Sequence, residues 1–393
     1  SSPFRVAVKR LPSGCVSVAG QRRAGTAKTF SGVSRSSSNM DIYCSFIIIR
    51  TFAKINASYR FNMRFATGGF AAIFAAASFF MPAKAQDCSS KVRDINRYGT
   101  FDHWTVREIK ESGIIGGRTK YLYEFFGSPA DTIRYDKKKS KAFRAPEAYL
   151  WRSNNVYANV MGIEKCSVTD FPEKRGDGWC CRLEVPVEDV KVAGMINMDV
   201  VCQGAFLLGS LPEPIRDTKD PMAKPLYGIP FTGRPSALQF DYKAKVGCEI
   251  IRGNGFSKLK TIGGRDHAEV AIILQKRWED EQGNVHALRV GTGIERITSD
   301  VPDWVNGHRI PVHYGDISGE SWYKDYMKLL NGTPMDLHCI NSKGKNVKIV
   351  EEGWANENET PNVLIIRFLA SCGEAFYGGV GNTLWIDNVK LIM

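Results

Sequence analysis

The sequence contains few of the local motifs that carry chemistry. Its six histidines are scattered, and none stands in HExxH or HxH spacing, so a catalytic zinc site has no support. A GxSxG nucleophile elbow, a phosphate-binding loop and a dinucleotide-binding fingerprint are also missing. We therefore predict no catalytic residue from the sequence.

An excess of charge of one sign is missing from most of the chain. Residues 1–85 hold 12 lysines and arginines against one acidic residue, Asp41, and so carry nearly all of the formal net charge of +12. The remaining residues, 86–393, together have a net charge close to zero. Nucleic acid binding depends on neutralising phosphates with basic side chains, so we expect no nucleic acid partner.

A long apolar run is missing as well. Residues 1–62 are rich in Ser, Arg and Gly and are interpreted as an unstructured leader or upstream translation. Residues 63–85 combine Arg64, an apolar stretch and an Ala-Lys-Ala motif before Gln86, which predicts a secretory signal peptide. The stretch is shorter than the ~20 residues of a spanning helix, which disfavours a membrane anchor. We expect export to the periplasm, cell surface or extracellular space, without a membrane span after cleavage.

Most of the cysteines follow the predicted signal peptide, at irregular spacing and without paired CxxC motifs. An exported chain can oxidise them, but buried free thiols fit the pattern equally well. Cys180 and Cys181 are adjacent in a predicted strand, so they should face opposite sides, with at most one pointing into the core.

Short strands dominate residues 86–393. Residues 238–246 alternate apolar and polar side chains, which predicts a strand whose wet face carries Gln239, Asp241 and Lys243. Residues 268–274 (AEVAIIL) are continuously apolar, as in a central strand. Many short strands with turn signals and no repeating βα units predict an all-β fold, a jelly-roll-like antiparallel β-sandwich with one or two short helices.

The C-terminal stretch predicts two further strands. Residues 363–366 (VLII) suit a strand that is buried on both faces. In residues 384–392 the apolar side chains change parity midway, and a one-residue bulge at Asp387-Asn388 would return them to one face. A carboxylate at such a bulge could hold a loop or a cation, although a solvated turn residue is the alternative.

One helix is predicted near residue 325. Trp322, Tyr326 and Leu329 recur at i, i+4 and i+7, with a preceding serine as a cap and Gly332 as a stop. Such a stripe is more typical of a core contact than of a ligand platform.

Aromatic residues in loops and at strand ends are the best indication of a binding site. Sugar rings stack on indole and phenol rings while neighbouring polar groups bind the hydroxyls. The predicted carbohydrate-binding residues are Trp304, Trp354, Tyr377, Gln239, Asp241 and Lys243. The alternative for each tryptophan is that it closes one end of the core.

Several stretches together resemble a known family. The segment GIPFTGRP at 228–235 leads into LQFDYKAKVG, followed by Asp266 with AEVAIIL and by FYGGVGNTLWIDNVKLIM at the C-terminus. This order resembles the PCMD family, a carbohydrate-metabolism domain of envelope proteins from glycan-degrading gut bacteria. The resemblance implies a β-sandwich at 154–393, similar to carbohydrate-binding modules, with an N-terminal extension at 86–153. It brings no catalytic residues, and the many cysteines here depart from it.

Residues 99–104 (GTFDHW) are similar to the opening strand of galactose-binding-like sandwiches. In that wider group the first and last strands often share a structural calcium. The similarity implies Asp102 and Asp387 as metal ligands, although calcium takes six to eight oxygens. The alternative is that both carboxylates bind loop amides, and no cofactor is otherwise required.

We therefore expect a cell-envelope protein that binds a glycan non-covalently in carbohydrate acquisition or metabolism, with other envelope proteins as further partners. One alternative is a glycoside hydrolase or lyase on a jelly-roll scaffold, marked by a cleft with two close carboxylates or by a Tyr–His–Arg cluster. Another is a structural or adhesin module of a surface assembly, marked by an exposed edge strand or an apolar patch without a cleft.

Overall fold

The computed structural model describes residues 88–124, 132–134, 149–192, 196–217, 219–255, 257–331, 333 and 335–393. The predicted leader (1–62) and signal peptide (63–85) lie outside them. The described chain consists mainly of strands, with one α-helix, α1 (Cys88–Tyr98), and three short 3₁₀ turns. None of the described helices is both long enough and apolar enough to cross a membrane.

The strands of the described residues follow in chain order. They are β1 (Thr105–Lys110), β2 (Thr119–Glu124), β3 (Thr132–Arg134), β4 (Trp151–Ser153), β5 (Val156–Val160), β6 (Ile163–Ser167), β7 (Asp170–Arg175), β8 (Gly178–Glu184), β9 (Val187–Val192), β10 (Ile196–Val201), β11 (Ala205–Ser210), β12 (Leu226–Tyr227), β13 (Ile229–Pro230), β14 (Ala237–Lys245), β15 (Glu249–Arg252), β16 (Lys260–Arg265), β17 (Ala268–Glu279), β18 (Val285–Ile297), β19 (Val301–Pro311), β20 (His313–Tyr314), β21 (His338–Ile340), β22 (Asn346–Trp354), β23 (Val363–Leu369), β24 (Tyr377–Gly379) and β25 (Thr383–Ile392). Four small sheets, β2-β1-β3, β10-β9, β16-β15-β24 and β5-β6, accompany two larger ones.

The two larger sheets have different topologies. A five-stranded sheet has the order β19-β14-β25-β8-β7, and all its pairings are antiparallel. A ten-stranded sheet has the order β13-β23-β17-β18-β22-β21-β12-β11-β4, with β20 paired to β18. Because β11 also pairs with β23, seven of its strands form a closed ring. The predicted apolar strand at 268–274 lies in β17, between β23 and β18, as a central strand should.

The main core lies between the two larger sheets. Leu238 and Phe240 of β14 meet Ile366 and Phe368 of β23 there, and the ring centroids of Phe240 and Phe368 are 5.4 Å apart. A second apolar cluster fills the closed ring, with side chains such as Ile273 and others from β11, β12, β18, β22 and β23. Two sheets face to face over one apolar layer confirm the predicted all-β sandwich with few helices.

Strand β25 contains the bulge that the sequence predicts. Its pairing with β14 shifts by one residue between Lys390 and Asp387, and Asn388 takes a left-handed conformation with φ of 48°. Leu384 and Ile386 before the bulge are buried in the main core, and so are Val389 and Leu391 after it. The extra residue thus restores one inward face across the whole strand.

The segment before residue 154 shares this core. Ile95 of α1 and Trp151 of β4 both belong to it, and β4 pairs with β11 in the ten-stranded sheet. The side chain of Asn96 exchanges two hydrogen bonds with the backbone of Leu391. The predicted extension is therefore an integral part of the sandwich.

The predicted opening strand at 99–104 is not a strand, and β1 begins at Thr105. Phe101 has φ of 53°, which interrupts an extended conformation. The carbonyl of Gly99 contacts β25 by accepting a hydrogen bond from the amide of Val389. The indole of Trp104 donates to the carbonyl of Phe101 within this turn.

The prediction of a helix near residue 325 is wrong. The chain forms only a 3₁₀ turn, Asp325–Met327, in this region. The ring of Trp322 packs on His313 at 4.0 Å, whereas Tyr326 packs against the apolar cluster of the closed ring. These residues contact different partners, and such tertiary contacts override a helical pattern. The α-helix that does form, α1, was not predicted, although Cys88, Val92 and Ile95 have the same spacing.

Six of the described cysteines have free thiols, namely Cys166, Cys180, Cys181, Cys202, Cys339 and Cys372. Cys181 lies in the main core, while Cys180 is buried outside it. The expectation that the two face opposite sides of β8 agrees with this placement, since only one joins the core. Burial raises the pKa of the Cys180 thiol to about 12, so it is protonated at neutral pH.

Candidate functional site

The outward side chains of β14 lie on the face of the five-stranded sheet that is turned away from the core. Leu238, Phe240, Tyr242 and Ala244 point into the core. Gln239, Asp241 and Lys243, which alternate with them, therefore lie on the other face of the sheet. This agrees with the alternation predicted from the sequence. Asp241 is nevertheless only 7% exposed, so other side chains cover it.

The residues that surround Asp241 come from all five strands of the sheet. We call this group the outer-face cluster. It consists of Glu173, Arg175, Arg182, Asp241, Lys243, Trp304, Asn306, Trp385, Asp387 and Asn388. Four of its members, Asp241, Lys243, Trp304 and Asp387, are sequence-predicted site residues.

Arg175 connects the carboxylates of this cluster. Its Nη1 donates to Asp241 Oδ2 at 2.8 Å and to Asp387 Oδ2 at 2.7 Å. Since both oxygens bind one nitrogen, they lie within a few ångströms of each other. Nη2 donates to Asn306 Oδ1 at 2.5 Å. This bond connects Arg175 of β7 with Asn306 of β19, so it links the two edge strands of the sheet through their side chains.

The two carboxylates differ electrostatically. Burial raises the pKa of Asp387, and the nearby charge of Asp241 adds to this, against the opposing effect of Arg175. Burial acts in the same direction on Asp241, but hydrogen bonds from Asn388, Gly307 and Arg175 outweigh it and lower its pKa. The pair therefore carries one firmly ionised carboxylate and one that holds a proton more readily.

Two indoles and two cations lie beside this pair. The guanidinium of Arg175 stacks on Trp304 at 3.8 Å from the ring centroid. The ammonium of Lys243 lies between two indoles, 5.6 Å from Trp304 and 4.4 Å from Trp385. The indole of Trp385 donates to Glu173 Oε1 at 3.0 Å. The arrangement combines flat apolar rings with charged hydrogen-bonding groups on one sheet face.

The other predicted carbohydrate-binding residues lie on different sheets or at the edge of this cluster. Trp354 ends β22 in the ten-stranded sheet, half-buried, 5.6 Å from the guanidinium of Arg289. Tyr377 is half-buried in β24 of a small sheet. Gln239 is on the same strand as Asp241 and accepts a hydrogen bond from Arg309 at 2.8 Å.

The two predicted metal ligands make separate contacts. Asp102 Oδ1 accepts a hydrogen bond from the amide of Trp179 at 3.0 Å, and Asp387 pairs with Arg175. Among the residues that the structure describes, no group of three or more His, Cys, Asp or Glu side chains is arranged to hold a metal ion. These contacts do not fit the calcium hypothesis well, since a guanidinium already neutralises Asp387. Structural calcium stays a prediction.

As site residues, sequence reasoning missed the other six members of the cluster, namely Glu173, Arg175, Arg182, Asn306, Trp385 and Asn388. Trp385 could have been found, because its neighbours Leu384 and Ile386 point inward, which places the indole on the outer face. Arg175 could not, since its bonds to Asp241, Asp387 and Asn306 join strands that are far apart in the sequence.

Comparisons with known proteins add little. No protein-family model matches this chain, and no curated protein matches it. Several solved structures are similar to this chain, including the following two. A "putative glycoside hydrolase" from Bacteroides thetaiotaomicron is 18% identical over 70% of this chain and 81% of that chain, with a TM-score of 0.37. Another from Bacteroides vulgatus is 15% identical over 73% of this chain and 91% of that chain, with a TM-score of 0.34. Similarity at this level carries no functional argument, and the resemblance to PCMD stays a prediction.

Proposed function

We propose that this protein binds carbohydrate non-covalently through the outer-face cluster. The observation that supports this most directly is the placement of Trp304 and Trp385 on one sheet face with Lys243 between them. Indoles offer a flat apolar surface for the C–H face of a sugar. Ammonium, amide and carboxylate groups around them can bind hydroxyls and fix orientation.

Each group has a distinct role in this proposal. A sugar ring would stack on the half-exposed side of Trp304 or Trp385, while Lys243 turns from the indoles to a hydroxyl or an acidic substituent. Gln239 would accept from or donate to a second hydroxyl. The pair Asp241 and Arg175 would hold Trp304 in place through the stacked guanidinium.

A glycan array followed by calorimetry on its hits would test the proposal. We expect Trp304→Ala and Trp385→Ala each to weaken binding at least tenfold, because each removes a stacking surface. Trp278→Ala is the matched control, since Trp278 is 44% exposed on β17, in the other large sheet. If the Trp278 variant loses as much affinity as the others, or if no variant loses any, the outer-face cluster is not the site.

Trp354 and Tyr377 need their own test, since they lie on other sheets. Trp354→Ala and Tyr377→Ala should leave affinity for the array hits unchanged if the outer-face cluster is the whole site. A tenfold loss in either variant would instead support the sequence-based prediction that these residues stack against sugar.

A second candidate function is glycoside hydrolysis, favoured by the close pair of carboxylates. A glycosidase uses one protonated and one ionised carboxyl group, which retaining enzymes hold about 5–5.5 Å apart. In this scheme Asp387 donates its proton to the glycosidic oxygen as the C–O bond breaks, and Asp241 attacks the anomeric carbon. Water then hydrolyses the glycosyl intermediate and returns the proton to Asp387.

Product analysis of the array hits separates the two functions. Turnover that falls at least a hundredfold in Asp387→Asn, with binding retained, would support hydrolysis. Binding without released products, for the native chain as well as the variant, would support a binding module alone.

Export to the cell envelope is part of the same proposal and is supported by the signal-peptide pattern at 63–85. Fractionation of cells that express the full chain should place the protein outside the cytoplasm, with an N-terminus at Gln86. An unprocessed cytoplasmic product would contradict it.

A further inference from the structure

A cavity of about 240 Å³ borders the outer-face cluster at the C-terminal end of β14. Lys243 and Lys245 of β14 line it, together with Trp385 of β25 and the segment 300–302 that leads into β19. Lys243 lies directly opposite Trp385 in the pairing of β14 with β25. These two side chains therefore belong both to the cluster and to the wall of the cavity.

The two lysines bring positive charge to the cavity from the outer face of β14. They are separated by one residue, and side chains two apart in a strand point to the same face. The Nζ of Lys243 lies 4.4 Å from the ring centroid of Trp385 and 3.9 Å from Glu173 Oε1. Lys245 is half-buried and makes no ion pair among the described residues. Its ammonium group is therefore available to a ligand.

The carboxylates around these lysines have partners within the protein. Among the described residues, the acidic residue on the cavity wall is Asp300, whose Oδ1 accepts a hydrogen bond from the amide of Val246 at 2.8 Å. Glu173 accepts from Arg182 Nη1 at 2.9 Å and from the indole of Trp385 at 3.0 Å. Two ammonium groups against one carboxylate give the cavity wall a net positive charge, which favours an anionic group of a ligand.

We propose, on the basis of the carbohydrate-binding function proposed above, that the outer-face cluster takes an acidic glycan whose anionic substituent enters this cavity and binds Lys243 and Lys245. The substituent is a uronic acid carboxylate or a sulfate ester, since each presents anionic oxygens to ammonium donors. A sugar ring that stacks on Trp385 would place such a group beside Lys243, because the two side chains are cross-strand neighbours. The indole then provides contact with the ring, and the lysines provide the preference for charge.

A glycan array of matched pairs tests this proposal with the full-length protein. Each pair holds an acidic oligosaccharide and its neutral counterpart, either oligogalacturonate with its methyl ester or a sulfated oligosaccharide with its desulfated form. We expect the acidic member of at least one pair to bind at least tenfold more tightly, because the neutral member cannot form charge-assisted hydrogen bonds with the lysines. The kind of pair that shows this preference identifies carboxylate or sulfate. Neutral members that bind as tightly as acidic ones would overturn the acidic class but not carbohydrate binding, whereas an array without hits would overturn both.

Calorimetry on the preferred pair assigns the preference to residues. Lys245→Gln should lower affinity for the acidic member at least fivefold and leave affinity for the neutral member unchanged. Lys245→Arg should retain the preference, since the positive charge stays in the cavity. Trp385→Ala should instead weaken both members by the same factor, because the indole contacts the sugar ring and not its charged substituent. A Lys245→Gln variant with the native preference would contradict the proposal.

Lys390→Gln is the matched control for the charge of the sheet face. Lys390 is exposed on β25 and pairs with Gln239 on the same face, but it does not line the cavity. Affinity for the acidic glycan should stay within twofold in this variant, with circular dichroism confirming that all variants are folded. An equal loss in Lys390→Gln and Lys245→Gln would show that the charge of the whole face determines binding, and would overturn a site in the cavity.

Discussion

Gly99 lies directly after α1, where the chain touches β25. A Cβ atom at this position would be 2.1 Å from the carbonyl oxygen of Val389 and 3.1 Å from that of Ile95. Both contacts are with backbone, which cannot move away as a flexible side chain can. Only glycine therefore permits this close approach, and it fixes the position of α1 on the sandwich.

We expect Gly99→Ala to lower the free energy of unfolding by about 1–3 kcal/mol, the usual range for overpacking. Chemical denaturation of the native protein and the variant would measure this difference in unfolding free energy. Gly113→Ala is the matched control, since a Cβ there meets nothing within 4 Å. Equal stabilities of the two variants would show that the contact with Val389 does not constrain the chain.

Glu213 is a buried acid whose ionisation is opposed by its surroundings. Burial raises its pKa to about 8, although Arg107, which donates to it at 2.7 Å, acts in the opposite direction. The pKa of an unfolded glutamate is 4.5. The folded state therefore retains a proton between these two values that the unfolded state releases.

This shift gives the stability a predictable pH dependence. A raised acid pKa makes the unfolding free energy fall as pH rises from about 4.5 to about 8, by at most about 1.4 kcal/mol per pH unit. We expect Glu213→Gln to flatten the decline, because glutamine does not titrate. Denaturation at several pH values would measure how steeply the unfolding free energy declines in the native protein and in the variant. Glu320 is exposed, so Glu320→Gln is the control and should show the same dependence of unfolding free energy on pH as the native protein. The same dependence in Glu213→Gln would contradict the assignment of this decline to Glu213.

At the scale of elements, the bulge in β25 determines which side chains reach the core. Without Asn388, the residues on one side of the bulge would turn to the opposite face, because strand side chains alternate with a period of two. The apolar residues from Leu384 to Leu391 could then not all be buried. The Asn388 amide also donates to Asp241 at 2.8 Å, so the bulge contributes to the outer-face cluster.

Deleting Asn388 should therefore prevent folding or greatly reduce the yield of folded protein, as judged by circular dichroism and gel filtration. Asn388→Gly should fold, because glycine readily adopts the φ of 48° found here. A folded deletion variant with native stability would show that β25 can shift its register without loss, contrary to this account.

At the scale of the whole molecule, the segment before residue 154 is not a dispensable extension. Ile95, Phe101, Trp104 and Trp151 are each at most 3% exposed in the main core. Removing large buried side chains exposes their apolar partners and costs several kcal/mol each. The domain boundary at residue 154 that the resemblance to PCMD implies would therefore divide the main core. It would not separate two independent domains.

We expect residues 86–393 to fold when expressed alone, whereas residues 154–393 should be insoluble or molten. Thermal denaturation and near-ultraviolet circular dichroism would distinguish these states. A shorter chain that melts cooperatively at the temperature of the longer one would show that 154–393 is an independent domain.

Much of the fold could be predicted from single stretches of sequence. The alternation at 238–246 and the apolar run at 268–274 correctly indicated a half-buried and a central strand, because side-chain periodicity reports directly on which faces are covered. The prediction of a helix near residue 325 was wrong because periodicity reports on local faces and not on tertiary partners. The apolar residues there are buried against different partners, and periodicity within one segment cannot reveal where each partner lies.

The sequence by itself determined which residues of β14 and β25 point outward, and the bulge at Asp387-Asn388, since these depend only on local alternation. The tertiary structure alone decided which outward residues meet. The assembly of the strands into one sheet brings Arg175 to Asp241, Asp387 and Trp304, through contacts between residues far apart in the chain. Long-range pairing depends on the packing of whole sheets, and no local pattern encodes it.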